Sequence, residues 1–384
     1  EALKFRVGLA AYDLLAGADS FPASAWLPPA ALAREVPGLK RGVFRGGVSY
    51  VDGQFDDTAL LFAVLRAATA GGAVCLNYAP VTRLLFAGTD LRGAVCRDAE
   101  TGREHEIPAR CVVNAAGPAA AGVLAMDRDA DAAPLMLSRG SHLVVPARFL
   151  GAGTAVLMPR VDDGRVMFAI PWLGHTLLGT TDVAAPRLDE EPMPLPAEID
   201  AILGTAARYL DPAPTRADVS AMFCGLRPLA ATEGGATAQV SREHAIVRSA
   251  SGLVTVTGGK WTTFRRMGQE TVDFILRDTP LPAGASRTAT QSLTPLPPLA
   301  DDVPLPGIVL GEAACRRAVR LEGARRTEDV LARRCRALFT DVDAARRAAP
   351  RVAAIIGEEL RRSAEEVAAD LASFMTLAAR YSLR

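Results

Sequence analysis

Long hydrophobic runs, net charge, clustered histidines and paired cysteines are all missing from this sequence, and each absence removes a class of function. No stretch reaches the roughly 18 consecutive apolar residues of a membrane-spanning helix, so the sequence allows only peripheral membrane contact. The 43 basic and 43 acidic side chains cancel, which argues against the broad basic surface of a nucleic-acid binder. Four scattered histidines do not suggest a histidine-rich metal site. The six cysteines (Cys75, Cys96, Cys111, Cys224, Cys315 and Cys335) contain no CxxC pair, so they read as single thiols in a reducing compartment, without zinc or iron–sulfur chemistry. The Walker spacing GxxxxGK[ST] is also absent, as is GxGxxG.

What is present is apolar mass. At 384 residues, 49% of them hydrophobic, the chain has enough material for two or three domains. Glu1–Gly17 reads as an amphipathic helix and Phe21–Pro37 as a connector with a short helix at Pro29–Val36. Gly46–Asp57 is rich in glycine and acid and precedes a helix at Thr58–Ala70. β-Prone runs follow at Ala73–Leu76, Thr82–Phe86, Arg92–Arg97, Glu104–Ile107 and Cys111–Ala115. This succession fits the later part of a nucleotide-binding α/β domain with an inserted meander. Strand-sized runs at His142–Pro146, Ala155–Pro159, Arg165–Pro171 and Thr176–Gly179, with a turn at Asp162–Gly164, give way to a helix at Pro194–Tyr209. Further strands are expected at Val219–Phe223, Ala245–Arg248 and Leu253–Thr257. The tail reads as helices at Gly311–Leu321, Thr327–Phe339, Asp341–Gly357 and Ser363–Tyr381, with a capping box at Ser363 and Glu366 and with Thr327 as acceptor at a helix start. Its run of arginines, from Arg316 to Arg336, reads as a solvated face or as a contact for anionic lipid or a partner.

Four glycine-marked turns are the candidates for chemistry. Asn114-Ala115-Ala116-Gly117 ends a strand with small residues that would let a flat cofactor approach the backbone; an ordinary turn after a core strand explains it equally well. Gly140-Ser141-His142 offers an imidazole for proton exchange, or a structural histidine. Gly225-Leu226-Arg227-Pro228 fixes an arginine at a strand exit, with the fork geometry of a phosphate or carboxylate clamp, or of a surface salt bridge. Gly258-Gly259-Lys260-Trp261-Thr262-Thr263 leads into a helix whose free N–H groups favour an electron-rich group, and Lys260 could hold a phosphate.

In this order, with Tyr50, Asp52, Asp56 and Asp57 before them and the PW…GTTD pattern at Pro171–Asp182 between, these motifs resemble the FAD-dependent, quinone-linked glycerol-3-phosphate dehydrogenases. The TEDVLARR tail at Thr327–Arg334 resembles the family's helical C-terminal domain. The resemblance implies an α/β and α+β fold. A glutathione-reductase/D-amino-acid-oxidase-like FAD-binding domain (1–135 and 236–280) would lack its first βαβ unit. A mixed-sheet substrate domain (136–235), a linker (281–306) and a helical domain (307–384) complete it. It implies FAD as cofactor, with Asn114, Ala115, Ala116, Gly117, Gly258, Gly259, Lys260, Trp261 and Thr262 along it. His142 would be proton acceptor or orienting partner, Arg227 the phosphate or carbonyl clamp, and Lys260 would lie beside flavin and substrate, with Thr180, Thr181 and Asp182 supporting the sheet. The implied reaction is oxidation of sn-glycerol 3-phosphate to dihydroxyacetone phosphate, electrons passing to a membrane quinone, at the cytoplasmic face of the membrane. The resemblance allows a homodimer. Alternatives are a glycerol-3-phosphate oxidase, another D-amino-acid-oxidase-type enzyme, or an inactive truncated paralogue. The family's opening GxGxxG turn, serine-rich segment and HGGxRY-like stretch have no counterpart, since Arg45-Gly46-Gly47 comes too late in the order. If these 384 residues are the whole molecule, FAD should be held poorly and activity should be negligible.

Overall fold

A computed structural model describes residues 8, 22–128, 135–151, 153–159, 166–230, 244–279, 281–297, 299 and 302–383. The helix expected over Glu1–Gly17 and the turn at Asp162–Gly164 lie outside the described residues. A two-stranded ribbon of β1 (Ala25–Leu27) and β2 (Gly47–Ser49) encloses α1 (Pro29–Glu35). In α2 (Asp57–Ala70) the Asp56 carboxylate accepts from the N–H groups of Thr58 and Ala59 at 3.0 and 2.9 Å, so this acid of the Gly46–Asp57 segment starts a helix. β3 (Val81–Ala87), β4 (Asp90–Arg97) and β5 (Glu104–Pro108) form an antiparallel meander; in β4 the buried Leu91, Gly93 and Val95 alternate with Asp90, Arg92, Ala94 and Cys96.

β6 is only Val113–Asn114, shorter than the expected run, and α3 (Ala120–Leu124) follows it. Ala73–Leu76, expected as a strand, is irregular, with Val74 84% and Leu76 69% exposed. A strand needs a neighbour to take up its N–H and C=O groups, and among the described residues none pairs with this run.

The centre is an antiparallel sheet of β7 (Leu135–Pro146), β8 (Val156–Met158), β9 (Met167–Trp172), β10 (His175–Gly179) and β11 (Val183–Ala185). α4 (Pro196–Tyr209) covers it, and β12 (Ala221–Ala230) completes it. β12 pairs along its whole length with β7, so Gly140-Ser141-His142 and Gly225-Leu226-Arg227-Pro228 lie inside paired strands instead of turns. Among the described residues β12 pairs only with β7, so Pro228 is tolerated with an N–H absent on the other edge. β13 (His244–Arg248) lies antiparallel to β14 (Val254–Gly258), which runs parallel to β6, and α5 (Phe264–Asp278) follows β14.

The tail contains α6 (Glu312–Glu322), α7 (Thr327–Leu331), α8 (Ala337–Thr340), α9 (Val342–Leu360) and α10 (Ala364–Arg380). The single helix expected over Thr327–Phe339 is two short ones, broken before Arg336, which sits at φ 62°. Thr327 does not cap: its N–H and hydroxyl donate to Asp370 at 2.9 and 2.6 Å, while Asp329 accepts from the N–H groups of Arg325 and Arg326. Ser363 and Glu366 do form the capping box. Most of the arginine run is held within the molecule. Arg316 and Arg320 pair with Glu359, Arg325 with Glu100, Arg333 with Glu328, Arg334 with Asp329 and Arg336 with Asp57.

The two faces of the central sheet bury against different partners, as strand alternation requires. Leu143, Val145 and Leu178 pack on Ile199, Ile202 and Ala206 of α4. Val144 and Ala221, on the opposite face, join one cluster with Leu338, Ile355 and Ile356 of the helical tail. Sheet and tail therefore share a core. Truncating the fully buried Ile356 to Ala should cost about 2–5 kcal/mol. Because Trp26, Trp172 and Trp261 all lie outside the tail, tryptophan fluorescence and helical circular dichroism should shift together in urea. Two separate curves would contradict the shared core.

Candidate functional site

Residues directly opposed across an antiparallel pair share a face. Ser138 opposes Arg227, Gly140 opposes Gly225, and His142 opposes both Phe223 and Gly179, so all of these lie on the face that, farther along, meets the helical tail. The His142 ring stacks on Phe223 at 5.0 Å, and Phe223 continues to Phe339 and then Tyr381 at 5.1 and 5.4 Å. The site thus sits where the sheet emerges from beneath the tail.

Two glycines make room for it. A Cβ on Gly140 would run into the Arg227 guanidinium, and one on Gly179 into the His142 imidazole. Each polar side chain fills the space a neighbouring strand leaves empty, which brings a cation and an imidazole together on a sheet. Arg227 Nη2 donates to Thr180 Oγ1 at 2.9 Å and Nη1 to the Thr181 carbonyl at 3.3 Å, with Asp182 at 3.8 Å. Ser138 in turn donates to Asp182. The Arg227 side chain remains about one-third exposed, 36%.

His142 Nδ1 is buried and has no hydrogen-bond partner among the described residues. Burial, and next the Arg227 charge, push the imidazole from its ordinary 6.5 down to about 4, the neighbouring Gly140 backbone acting the other way. At neutral pH the ring is uncharged and able to accept a proton.

A second group of candidates gathers at the C-terminal ends of the parallel strands β6 and β14, the position where α/β sheets bind nucleotides. Asn114 is buried and spoken for: its amide donates to the Ala120 carbonyl at 3.0 Å and its oxygen accepts from the Ala116 N–H at 3.3 Å. It shapes the Ala115–Gly117 turn instead of reaching outward. Gly117 has φ 56° with open space where a Cβ would stand. Gly258 and Gly259 have φ 73° and 80°, and a Cβ on Gly259 would strike the Met267 sulfur. Lys260 is exposed; Trp261 and Thr262 lie in a 3-10 turn ahead of α5, Trp261 at 4.8 Å from Phe264. His244 on β13 ties this corner to α5 through Glu270 at 2.8 Å. The Gly117–Ala119 turn touches both β12 and β14, so this glycine-marked corner borders the strand that carries Arg227. Two bare glycine turns side by side suit a flat ring such as a flavin. The sequence supplies no GxGxxG turn for a pyrophosphate.

Motif reading missed Glu198. Its only sequence signal was a Pro at N1 followed by Glu at N3 of α4. Motif reading likewise missed the spacing role of Gly179, which only strand pairing reveals.

The His142 environment fixes a pH dependence. Unfolded, His142 takes up a proton below about 6.5; folded, it refuses one until about 4. Stability from this residue is therefore full above pH 6.5 and falls as pH drops through that window. An NMR titration should give a midpoint near 4, and Arg227→Met should raise it while leaving it below the ordinary value, since burial is the larger cause. An ordinary midpoint in the unaltered chain would contradict this site.

Residues 6–273 match the family described as FAD dependent oxidoreductase, and residues 305–367 match the C-terminal domain of alpha-glycerophosphate oxidase. The mitochondrial glycerol-3-phosphate dehydrogenase of Macaca fascicularis is 37% identical over 294 residues, 73% of this chain and 40% of that protein. The probable mitochondrial glycerol-3-phosphate dehydrogenase of Dictyostelium discoideum is 31% identical over 425 residues, covering 95% of this chain and 66% of its own length. The solved glycerol-3-phosphate dehydrogenase of Bacillus halodurans, complexed with FAD, shares the fold at a TM-score of 0.77 and 24% identity, over 94% of this chain and 82% of that one. The chain thus spans less than half the length of its mammalian relatives. With the family matched across residues 6–273, most of the chain, the chain belongs to the FAD-dependent oxidoreductase family of D-amino-acid-oxidase type.

Proposed function

We propose that this chain carries the substrate sheet and flavin-ring side of an enzyme that oxidises sn-glycerol 3-phosphate to dihydroxyacetone phosphate. The observation that carries the reading is the pairing of an uncharged imidazole, His142, with a guanidinium, Arg227, on one sheet face bordered by the Gly117–Ala119 turn. The names of the relatives and the glycerophosphate-oxidase match of the tail support the substrate.

FAD, when bound, supplies the hydride acceptor. Gly117, Gly258, Gly259 and the backbone through Thr262 would hold its ring, and Asn114 would keep the first of those turns in shape. His142 accepts the proton of the substrate's C2 hydroxyl as C2 is oxidised; its ring is uncharged at neutral pH and so has a nitrogen lone pair for that proton. Arg227, oriented by Thr180 and Thr181, holds the phosphate, and Lys260 adds a second positive charge from the turn between β14 and α5. The acceptor of the electrons is a quinone in this reading, which rests on relatives named dehydrogenases. A lipid-soluble acceptor requires peripheral contact with a membrane, since no described helix is long and apolar enough to cross one. Oxygen is the runner-up acceptor, favoured by the match of the tail to an oxidase domain.

The test is the visible absorbance of the chain extended upstream with a pyrophosphate-binding segment and supplied with FAD, before and after glycerol 3-phosphate in the absence of oxygen. Bleaching is expected, and Arg227→Met should weaken the dependence on glycerol 3-phosphate by roughly 10- to 100-fold, the worth of a charge-assisted contact. Peroxide on admitting oxygen selects the oxidase. Flavin binding without bleaching would move the substrate to another class, and no flavin binding would overturn the catalytic reading of this chain.

A further inference from the structure

The Glu198 carboxylate lies under the sheet, 4% exposed, on the face opposite His142 and Arg227. A buried carboxyl group needs hydrogen bonds to offset the water it has lost. Three donors supply them: Ser141 Oγ at 2.9 Å and Thr181 Oγ1 at 2.5 Å to Oε1, and the Leu195 N–H at 2.9 Å to Oε2. The Thr181 hydroxyl also accepts from the Ser141 N–H at 2.9 Å, which pins it to β7. The carbonyl of that same Thr181 and the hydroxyl of Thr180 are the groups that receive the Arg227 guanidinium on the other side.

We propose that Glu198 is the positioning residue for Arg227, acting through Thr181. The proposal rests on the anion-clamp role given to Arg227 above. An arginine that only leans on a flexible segment would sample many rotamers and lose entropy on gripping an anion. Here the Gly179–Asp182 segment is fixed from below by a helix-borne carboxylate, so the fork is already aimed when the anion arrives. The same carboxylate caps α4 through Leu195, coupling the helix start to the clamp.

The test uses the full chain with Thr181→Val, Thr181→Ser and Glu198→Gln. Thr181→Val keeps the shape and removes the hydroxyl; Thr181→Ser restores it. Two readouts are taken: the Arg227 side-chain N–H resonance, assigned by its loss in Arg227→Lys, and the affinity for glycerol 3-phosphate by calorimetry. Thr181→Val and Glu198→Gln should shift that resonance, speed its exchange with water and weaken binding by about tenfold, one buried hydrogen bond's worth. Thr181→Ser should return both to the starting values. An unchanged resonance in folded Thr181→Val would overturn the proposal, as would failure of serine to rescue. If the unaltered chain binds no glycerol 3-phosphate, the substrate reading fails, and the resonance alone still decides the positioning.

Discussion

Everything at the candidate site depends on two missing Cβ atoms. Sheet faces ordinarily set neighbouring side chains about 5 Å apart, which would keep a long arginine and an imidazole in separate slots. Glycine at 140 and at 179 lets Arg227 fold over one strand and His142 over another, so their charged and uncharged nitrogens share one patch. The proximity has an electrostatic consequence: the guanidinium and the surrounding burial both oppose protonation of the ring. One packing feature thus sets a guanidinium and an uncharged imidazole on one patch.

The helical tail fixes where this patch can be. It buries the end of the same sheet face through Val144, Ala221 and the aromatic series from Phe223 to Tyr381, which reaches the His142 ring. Arg325 and Arg362 both reach Glu100, while Arg336 reaches Asp57, so the tail is also tied to the meander and to α2. Exposed ion pairs of this kind contribute little stability singly. Their consequence here is geometric: they orient a tail whose shared core supplies the adhesion.

Much of this was legible in the sequence, and the misses have physical causes. The order of motifs gave the family and the division into nucleotide-binding, mixed-sheet and helical parts. The glycines at 258 and 259 signalled a special turn and adopt one. Those at 140 and 225 look the same in a sequence but lie inside paired strands, because glycine serves both turning and close approach. The run Ala73–Leu76 has strand composition but no strand to pair with, and pairing is not a property of the run itself. Glu198 was invisible because its partners Ser141 and Thr181 meet it only through folding, and the pairing of Arg325 and Arg336 was invisible because Glu100 and Asp57 lie more than 200 residues away in sequence.

The most direct test of the glycine constraint is a double-mutant cycle on glycerol 3-phosphate affinity, measured by calorimetry for the unaltered chain, Gly140→Ala, Arg227→Met and the pair. If Gly140 matters because it admits the Arg227 guanidinium, alanine there should weaken binding about tenfold or more in the unaltered background and should cost nothing further once Arg227 is methionine. An equal loss in both backgrounds would contradict the account, as would an alanine at 140 that leaves binding untouched.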